Sequence, residues 1–133
     1  MNATSKDVKD MLEAESDLGL VFATNLFYGR EPTEPDNCVT VFDTPGRPPQ
    51  LTLGAQSEDN YYYPSVQIRV RNNDQDDAWA LMEDIKEALH GRAGETWNGT
   101  FYSVIICASE PSFLDWDDND RIRLIINLNI QRR

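Results

Sequence analysis

Apolar residues recur at helical spacing in two segments of the chain. In residues 4–18 these are Val8, Met11, Leu12, Ala14 and Leu18. In the segment that follows Asp77 and runs to about residue 89, they are Ala78, Leu81, Met82, Ile85, Ala88 and Leu89. A period of three to four residues predicts an amphipathic helix in each segment. Thr4 or Ser5 can cap the first helix, Gly19 can end it, and Gly91 can end the second.

Alternation of apolar and polar residues marks two strands. Along residues 65–71, Val66, Ile68 and Val70 alternate with Gln67, Arg69 and Arg71. Along residues 121–131, Ile122, Leu124, Ile126, Leu128 and Ile130 alternate with Arg121, Arg123, Asn127 and Asn129. A period of two predicts strands with one buried face and one polar face. Apolar runs at residues 38–42 and 100–108 predict two more strands, the second of them central or covered on both faces.

Residues 43–61 separate two predicted strands and are rich in proline, glycine and polar residues. The sequence Asp43-Thr44-Pro45-Gly46 predicts a turn directly after the first strand. A connection this long is uncommon inside a compact domain, so the segment is either disordered in isolation or projects to meet a partner. We interpret it as a loop or arm that contacts a partner. Its predicted contact residues are Pro48, Pro49, Leu51, Leu53, Tyr61, Tyr62 and Tyr63.

The order of these elements predicts a single α+β domain over residues 1–133. We expect a mixed, mainly antiparallel sheet of about four strands, two helices packed on one face, and the long projecting loop. The last two strands should form an antiparallel hairpin through an acidic turn at residues 110–120. Residues 20–37 should be an irregular or partly extended connection, and the order of the other strands stays open.

The composition, with 40% hydrophobic and 26% charged residues, is typical of a soluble globular protein. No apolar run approaches the about 20 residues that span a bilayer, and the first ten residues lack the apolar segment of a signal peptide. We therefore expect synthesis in the cytosol and no membrane partner. Cys38 and Cys107 should be buried and reduced, and His90 is the only histidine, so a Cys/His metal site lacks ligands.

The run from Asp115 to Asp120 matches the opening of a calcium-binding EF-hand loop. Its sixth position holds Asp120 instead of the required glycine, and its twelfth holds Ile126 instead of a bidentate carboxylate. We interpret it as a solvated hairpin turn, with weak cation binding as the alternative. His90 is the only candidate base for a catalytic triad, and no nucleophile motif accompanies it. The sequence therefore predicts no enzyme activity, no cofactor and no metal.

The formal net charge is −11, and the acidic and basic residues lie in different segments. Such a chain is expected to repel nucleic acid phosphates rather than grip them. One interpretation is a solvated helix face beside ordinary exposed arginines. The other is a pair of complementary surfaces that meet between subunits. The residues of that predicted subunit interface are Arg69, Arg71, Arg121 and Arg123 on the strands and Asp76, Asp77, Glu83 and Asp84 on the second helix.

Several stretches, spread over most of the chain, resemble the tail terminator or tail completion proteins of long-tailed bacteriophages, some of which are called phage minor capsid proteins. The matching stretches are Asp7 to Leu12, Leu26 to Gly29 with Pro32 and Pro35, Asp36 to Val39, Phe42 to Gly46, Pro64 to Arg71, and the closing strand after Arg121. The stretches from Phe42 and from Pro64 are the most specific ones. Both stretches indicate how the chain packs and contain no catalytic or ligand-binding motif.

The resemblance implies a structural virion subunit with a mixed sheet and two helices. It implies a homohexameric ring in the neck, assembled in the host cytoplasm, that ends growth of the tail tube and joins tail to head. The implied partners are further copies of the chain, the tail tube protein and a head-side connector protein, while DNA passes through the lumen without specific binding. A head–tail connector that seals the portal and a small protein-binding module stay open as alternatives.

Overall fold

A computed structural model describes residues 1–50 and 60–133 of the chain. This part of the chain forms two α-helices and seven strands. The elements are α1 (Thr4–Ala14), β1 (Leu26–Tyr28), β2 (Cys38–Gln50), β3 (Tyr61–Asn72), α2 (Gln75–Leu89), β4 (Ala93–Trp97), β5 (Thr100–Cys107), β6 (Ser112–Trp116) and β7 (Ile122–Arg132). The α+β class and both predicted helices are confirmed. The predicted number of about four strands is too low.

The strands form one mixed sheet in the order β1-β2-β3-β7-β5-β4, and β6 also pairs with β7. β1 runs parallel to β2, and the other pairs are antiparallel. β5 and β6 lie end to end along one edge of β7, because Cys107 faces Leu128 and Ser112 faces Ile125. The last predicted pair is therefore antiparallel as expected, but part of the predicted acidic turn is itself a strand.

Both helices pack on the same face of this sheet. The apolar positions of the two alternating patterns point toward them and are almost fully buried. The shared core contains Val8, Met11 and Leu12 of α1, Ala78, Met82, Ile85 and Leu89 of α2, Val66, Ile68 and Val70 of β3, and Ile122, Leu124, Ile126, Leu128 and Ile130 of β7. Removal of this apolar surface from water is the main stabilising contribution to the fold.

The turn predicted at residues 43–46 is wrong, because β2 continues to Gln50 and pairs with β3 as far as Tyr61. Two register shifts lie between Thr44 and Gln50. β1 accompanies β2 only as far as Val41, so the proline-containing part of β2 lies at an edge of the described sheet, where missing N–H donors are tolerated. Residues 43–50 are thus strand rather than loop, while residues 51–59, with Leu51 and Leu53, lie outside the described residues.

Candidate assembly surfaces

Residues 29–37, which we name the strap, connect β1 to β2 and lie against the polar face of the sheet. Arg71 of β3 holds the strap through backbone and side-chain contacts. Its guanidinium donates to the carbonyl oxygens of Pro32 and Pro35, each at 2.6 Å, and lies 3.2 Å from the carboxylate of Glu31. Carbonyl groups that would otherwise lack partners are thereby satisfied at the sheet surface.

Two further arginines fix the strap and β6. Arg121 donates to the carbonyl oxygen of Thr33 at 2.6 Å and to the carboxylate of Asp117 at 2.8 Å. Arg123 forms a two-point ion pair with Asp115, at 2.6 and 2.5 Å, and also reaches the strap glutamate. The Arg123 guanidinium holds the pKa of the Asp115 carboxyl below its ordinary value. The strap, β6 and β7 are thus joined by charge-assisted hydrogen bonds.

The central member of this network, Glu31, was missed by sequence reasoning because the strap has no periodic pattern. The strand register shows why a counter-charge is needed: Arg71 and Arg123 lie directly opposite each other on neighbouring strands, a pairing that the sequence left open. Like charges at such a position are destabilising unless a counter-charge lies between them. Glu31 is that counter-charge, at 3.2 and 3.3 Å from the two guanidinium groups.

The arginines predicted for a subunit interface therefore have partners within the same subunit. Arg71 and Arg121 are only 2% and 4% exposed. Arg69 is half-buried, 3.5 Å from Glu31, and its guanidinium lies over the ring of Phe42. Contact of these arginines with a second subunit remains a prediction, but their charge is already compensated inside the chain.

The acidic predicted residues lie on the solvent side of α2. Asp76, Asp77, Glu83 and Asp84 are all exposed. Lys86 pairs with Glu83 at 2.8 Å and with Glu110 at 3.1 Å, which leaves most of this face negative. The structure thus separates the two predicted halves of the interface: the acids are accessible, whereas the arginines are largely covered.

The acidic run after β6 folds as a tight turn around Asp117. Its carboxylate accepts hydrogen bonds from the backbone N–H groups of Asn119 and Arg121, at 2.9 and 3.0 Å. Asp118 and Asp120 point to solvent. Within residues 1–50 and 60–133, no group of three or more His, Cys, Asp or Glu side chains is gathered as a metal site would require. The Asp117 carboxylate thus acts as the side-chain acceptor that holds this turn.

At the base of the predicted arm, the described ends of β2 and β3 are paired. Arg47 lies over the ring of Tyr63, 4.3 Å from its centroid, and the Tyr63 hydroxyl donates to Gln50 at 2.8 Å. Pro48 and Pro49 are exposed, and Tyr61, Tyr62 and Tyr63 are half-buried. The predicted contact residues in the described part of the arm are thus available to a partner, and the contact itself remains a prediction.

A buried polar cluster ties α1 to the end of the chain. The Asp7 carboxylate is fully buried and accepts hydrogen bonds from the Tyr102 hydroxyl and, at 2.8 Å, from the Asn98 side chain. Arg132 donates to the same hydroxyl at 3.1 Å. Burial, with the hydrogen bond to Asp7 as the next cause, raises the pKa of Tyr102. Three distant segments form this cluster, so no local pattern predicted it.

The remaining candidates for chemistry are His90 and the two cysteines. The His90 Nδ1 atom accepts a hydrogen bond from the backbone N–H of Cys107 at 3.0 Å. Cys38 is buried and Cys107 half-buried, both as free thiols, and burial raises the pKa of each. No helix in the described ranges is long and apolar enough to cross a bilayer.

Comparison with known proteins identifies related folds. A family described as bacteriophage tail terminator protein matches residues 7–133. A chain from the virion of a native gene transfer agent particle superimposes with a TM-score of 0.69 at 14% identity, over 98% of this chain and 94% of that chain. A second solved structure has a TM-score of 0.56 at 12% identity, over 98% and 97% of the two chains. At these identities the two structures show a shared fold. No curated protein sequence gives a significant match.

The family match begins within α1 and extends to the last residue, so it includes the strap, the base of the arm and all strands of the described sheet. Proteins of this kind are structural components of the phage tail and not enzymes. The chain thus belongs to the bacteriophage tail terminator protein family and is a structural component of the virion tail.

Proposed function

We propose that this chain assembles with copies of itself into a ring at the head-proximal end of a long phage tail. The ring ends growth of the tail tube, joins the tail to the head and leaves an opening for DNA. The observation that carries this proposal is the family match over residues 7–133. The resemblance noted in the sequence implies six copies in the ring.

The distribution of charge supports passage of DNA without retention. Of the 12 Lys and Arg residues, eight form ion pairs within the described residues. The exposed face of α2 is acidic. A phosphate backbone that passes this protein therefore meets few cations that are available to bind it.

The proposed partners are further copies of the chain, the tail tube protein and a head-side connector protein. We assign the predicted arm to contact with the tube or with a neighbouring subunit, because its described part carries the exposed Pro48 and Pro49 and the half-buried Tyr61, Tyr62 and Tyr63. Deletion of residues 47–60 should leave a folded domain that joins tails poorly. Unchanged assembly and joining after this deletion would remove the arm from the proposal.

Electron microscopy of the purified protein mixed with purified tail tubes tests the ring itself. We expect rings at one end of each tube and no further growth when tube protein is added. Particles made without this protein should carry tails of abnormal length that fail to join filled heads. Tails of normal length, firmly attached to filled heads in those particles, would refute the proposed function.

A further inference from the structure

β6 presents large apolar side chains to solvent. Phe113, Leu114 and Trp116 are 52%, 38% and 48% exposed. β6 pairs with β7 on one side, and the described residues place no strand on its other side. Edge strands are usually protected by charges, prolines or a covering segment, so an apolar edge indicates a contact surface. We name these three residues the β6 knob.

The opposite edge of the sheet carries an apolar groove. Phe22, Phe27 and Tyr28 line it together with Arg30, and its volume is about 590 Å³. Phe22 remains 43% exposed although its ring lies near that of Tyr28. The groove borders β1, the first strand in the sheet order. We name it the β1 groove.

The two surfaces carry opposite charges that lack partners within the described part of the chain. Asp118 and Asp120 follow the knob in the exposed turn, and Arg30 lies at the groove. None of these three residues forms an ion pair with the described residues. The arginines of the strap network, by contrast, already have ion-pair partners within the chain.

We propose that the β6 knob of one copy docks into the β1 groove of the next copy. The contact joins two different surfaces at opposite edges of the sheet, so it is heterologous, and repetition of a heterologous contact closes a ring when the rotation allows it. Arg30 of one copy then faces Asp118 and Asp120 of the other, which offsets part of the repulsion between chains of net charge −11. The inference rests on the proposed function, because it supplies the subunit contact of that ring.

Two full-length variants test the pairing. The knob variant carries Phe113→Ser and Trp116→Ser, and the groove variant carries Phe22→Ser and Arg30→Glu. Each variant alone should be monomeric by native mass spectrometry, with and without tail tubes. Their mixture should form a one-to-one dimer and no ring. The groove variant keeps an intact knob and the knob variant keeps an intact groove, so each pair of chains can make one contact and no further chain can be added. Ile106→Ser, which removes an equally exposed apolar side chain elsewhere, should assemble like the wild type.

Charge reversal gives an independent readout. Arg30→Glu alone, or Asp118→Lys with Asp120→Lys, should raise the dissociation constant of the subunit contact by roughly tenfold or more at low salt. A chain that carries all three reversals should recover most of the affinity. Absence of this recovery, with both single sets impaired, would overturn the charge pairing. Circular dichroism and thermal unfolding confirm that each variant is folded.

The outcomes separate this inference from the proposed function. If the wild type forms rings and the knob and groove variants form the same rings, the proposed subunit contact is wrong and the proposed ring function is unaffected. If each variant still dimerises by itself, a two-fold contact through another surface replaces the proposed one. If the wild type stays monomeric with purified tail tubes and leaves tube growth unchanged, the proposed function fails first.

Discussion

Ser5, in the first turn of α1, donates two hydrogen bonds to the carboxylate of Asp43 on β2, from its backbone N–H at 2.9 Å and from its hydroxyl at 2.7 Å. The residue at the helix N-cap, Ala3, makes no side-chain cap of its own. The expected capping by Thr4 or Ser5 is therefore wrong. A carboxylate from a strand takes that place, and it also lies near the positive end of the helix dipole.

Asp43→Ala should lower the free energy of unfolding by about 1–2 kcal/mol, because backbone and side-chain donors of α1 lose their acceptor. Urea denaturation followed by circular dichroism measures the change. Asp84→Ala on the exposed face of α2 removes a carboxylate in no ion pair of the described residues and should cost less than about 0.5 kcal/mol. Equal losses in the two variants would contradict a specific capping role.

Arg71→Ala should be far more costly, with a loss of about 3 kcal/mol or more, since the carbonyl oxygens of Pro32 and Pro35 and the carboxylate of Glu31 lose a buried charged donor together. Arg71→Lys should recover only part of this loss, because one ammonium group cannot reproduce the planar set of guanidinium donors. Arg47→Ala, at an exposed position outside the strap, serves as the control. Hydrogen exchange of strap amides should rise in the Arg71 variants alone, and wild-type exchange there would speak against the assigned contacts.

The ion pair between Asp115 and Arg123 predicts a pH dependence with a definite sign. The pKa of Asp115 is held below its ordinary value of 3.8, so the folded state favours the ionised carboxylate. The resulting stabilisation is complete above that ordinary value and is lost as pH falls through the lower folded-state value. The stability difference between wild type and Asp115→Asn should therefore shrink between pH 7 and pH 3. It should be modest, because the side chain is 42% exposed.

Asp118→Asn is the matched control for the loss of a carboxylate, since Asp118 is exposed and in no ion pair of the described residues. At pH 7 it should change the free energy of unfolding by less than about 0.5 kcal/mol. A difference for Asp115→Asn that grows toward acid pH would reverse the predicted sign.

Gly46 permits the close approach of β2 and β3 at the base of the arm. A Cβ atom there would lie 2.0 Å from the carbonyl oxygen of Tyr63 and 2.9 Å from Cα of Pro64, and both contacts are with backbone. Gly46→Ala should therefore separate the strands, at a cost of about 1–3 kcal/mol. Limited proteolysis should cut the arm faster in this variant. Pro49→Ala, at an exposed position of the same strand, should leave the cleavage rate close to that of the wild type.

The sequence by itself determined the elements whose burial follows a period. α2 and β7 each present one apolar face to the core, so the pattern of Met82 and Ile85 or of Leu124 and Ile126 was sufficient to place them. β4 and β6 were missed because they lie at edges of the sheet, where most of their side chains are exposed and no buried face imposes a pattern. The glycine and prolines after Phe42 predicted a turn, because these residues favour turns locally. In the structure, pairing with β3 keeps the segment extended, and local propensity contains no information about that pairing.

Only the tertiary structure decided where the charges go. The sequence shows that Arg71 and Arg123 face away from the core, but it does not show that the strap lies over them. Glu31 reaches both guanidinium groups because irregular backbone, fixed by the sheet beneath it, brings residues 40 and 92 positions apart within hydrogen-bond distance. Such pairing depends on the three-dimensional path of the chain rather than on any local period. As a result, arginines that the sequence suggests are exposed have their charge neutralised by a carboxylate of the same chain.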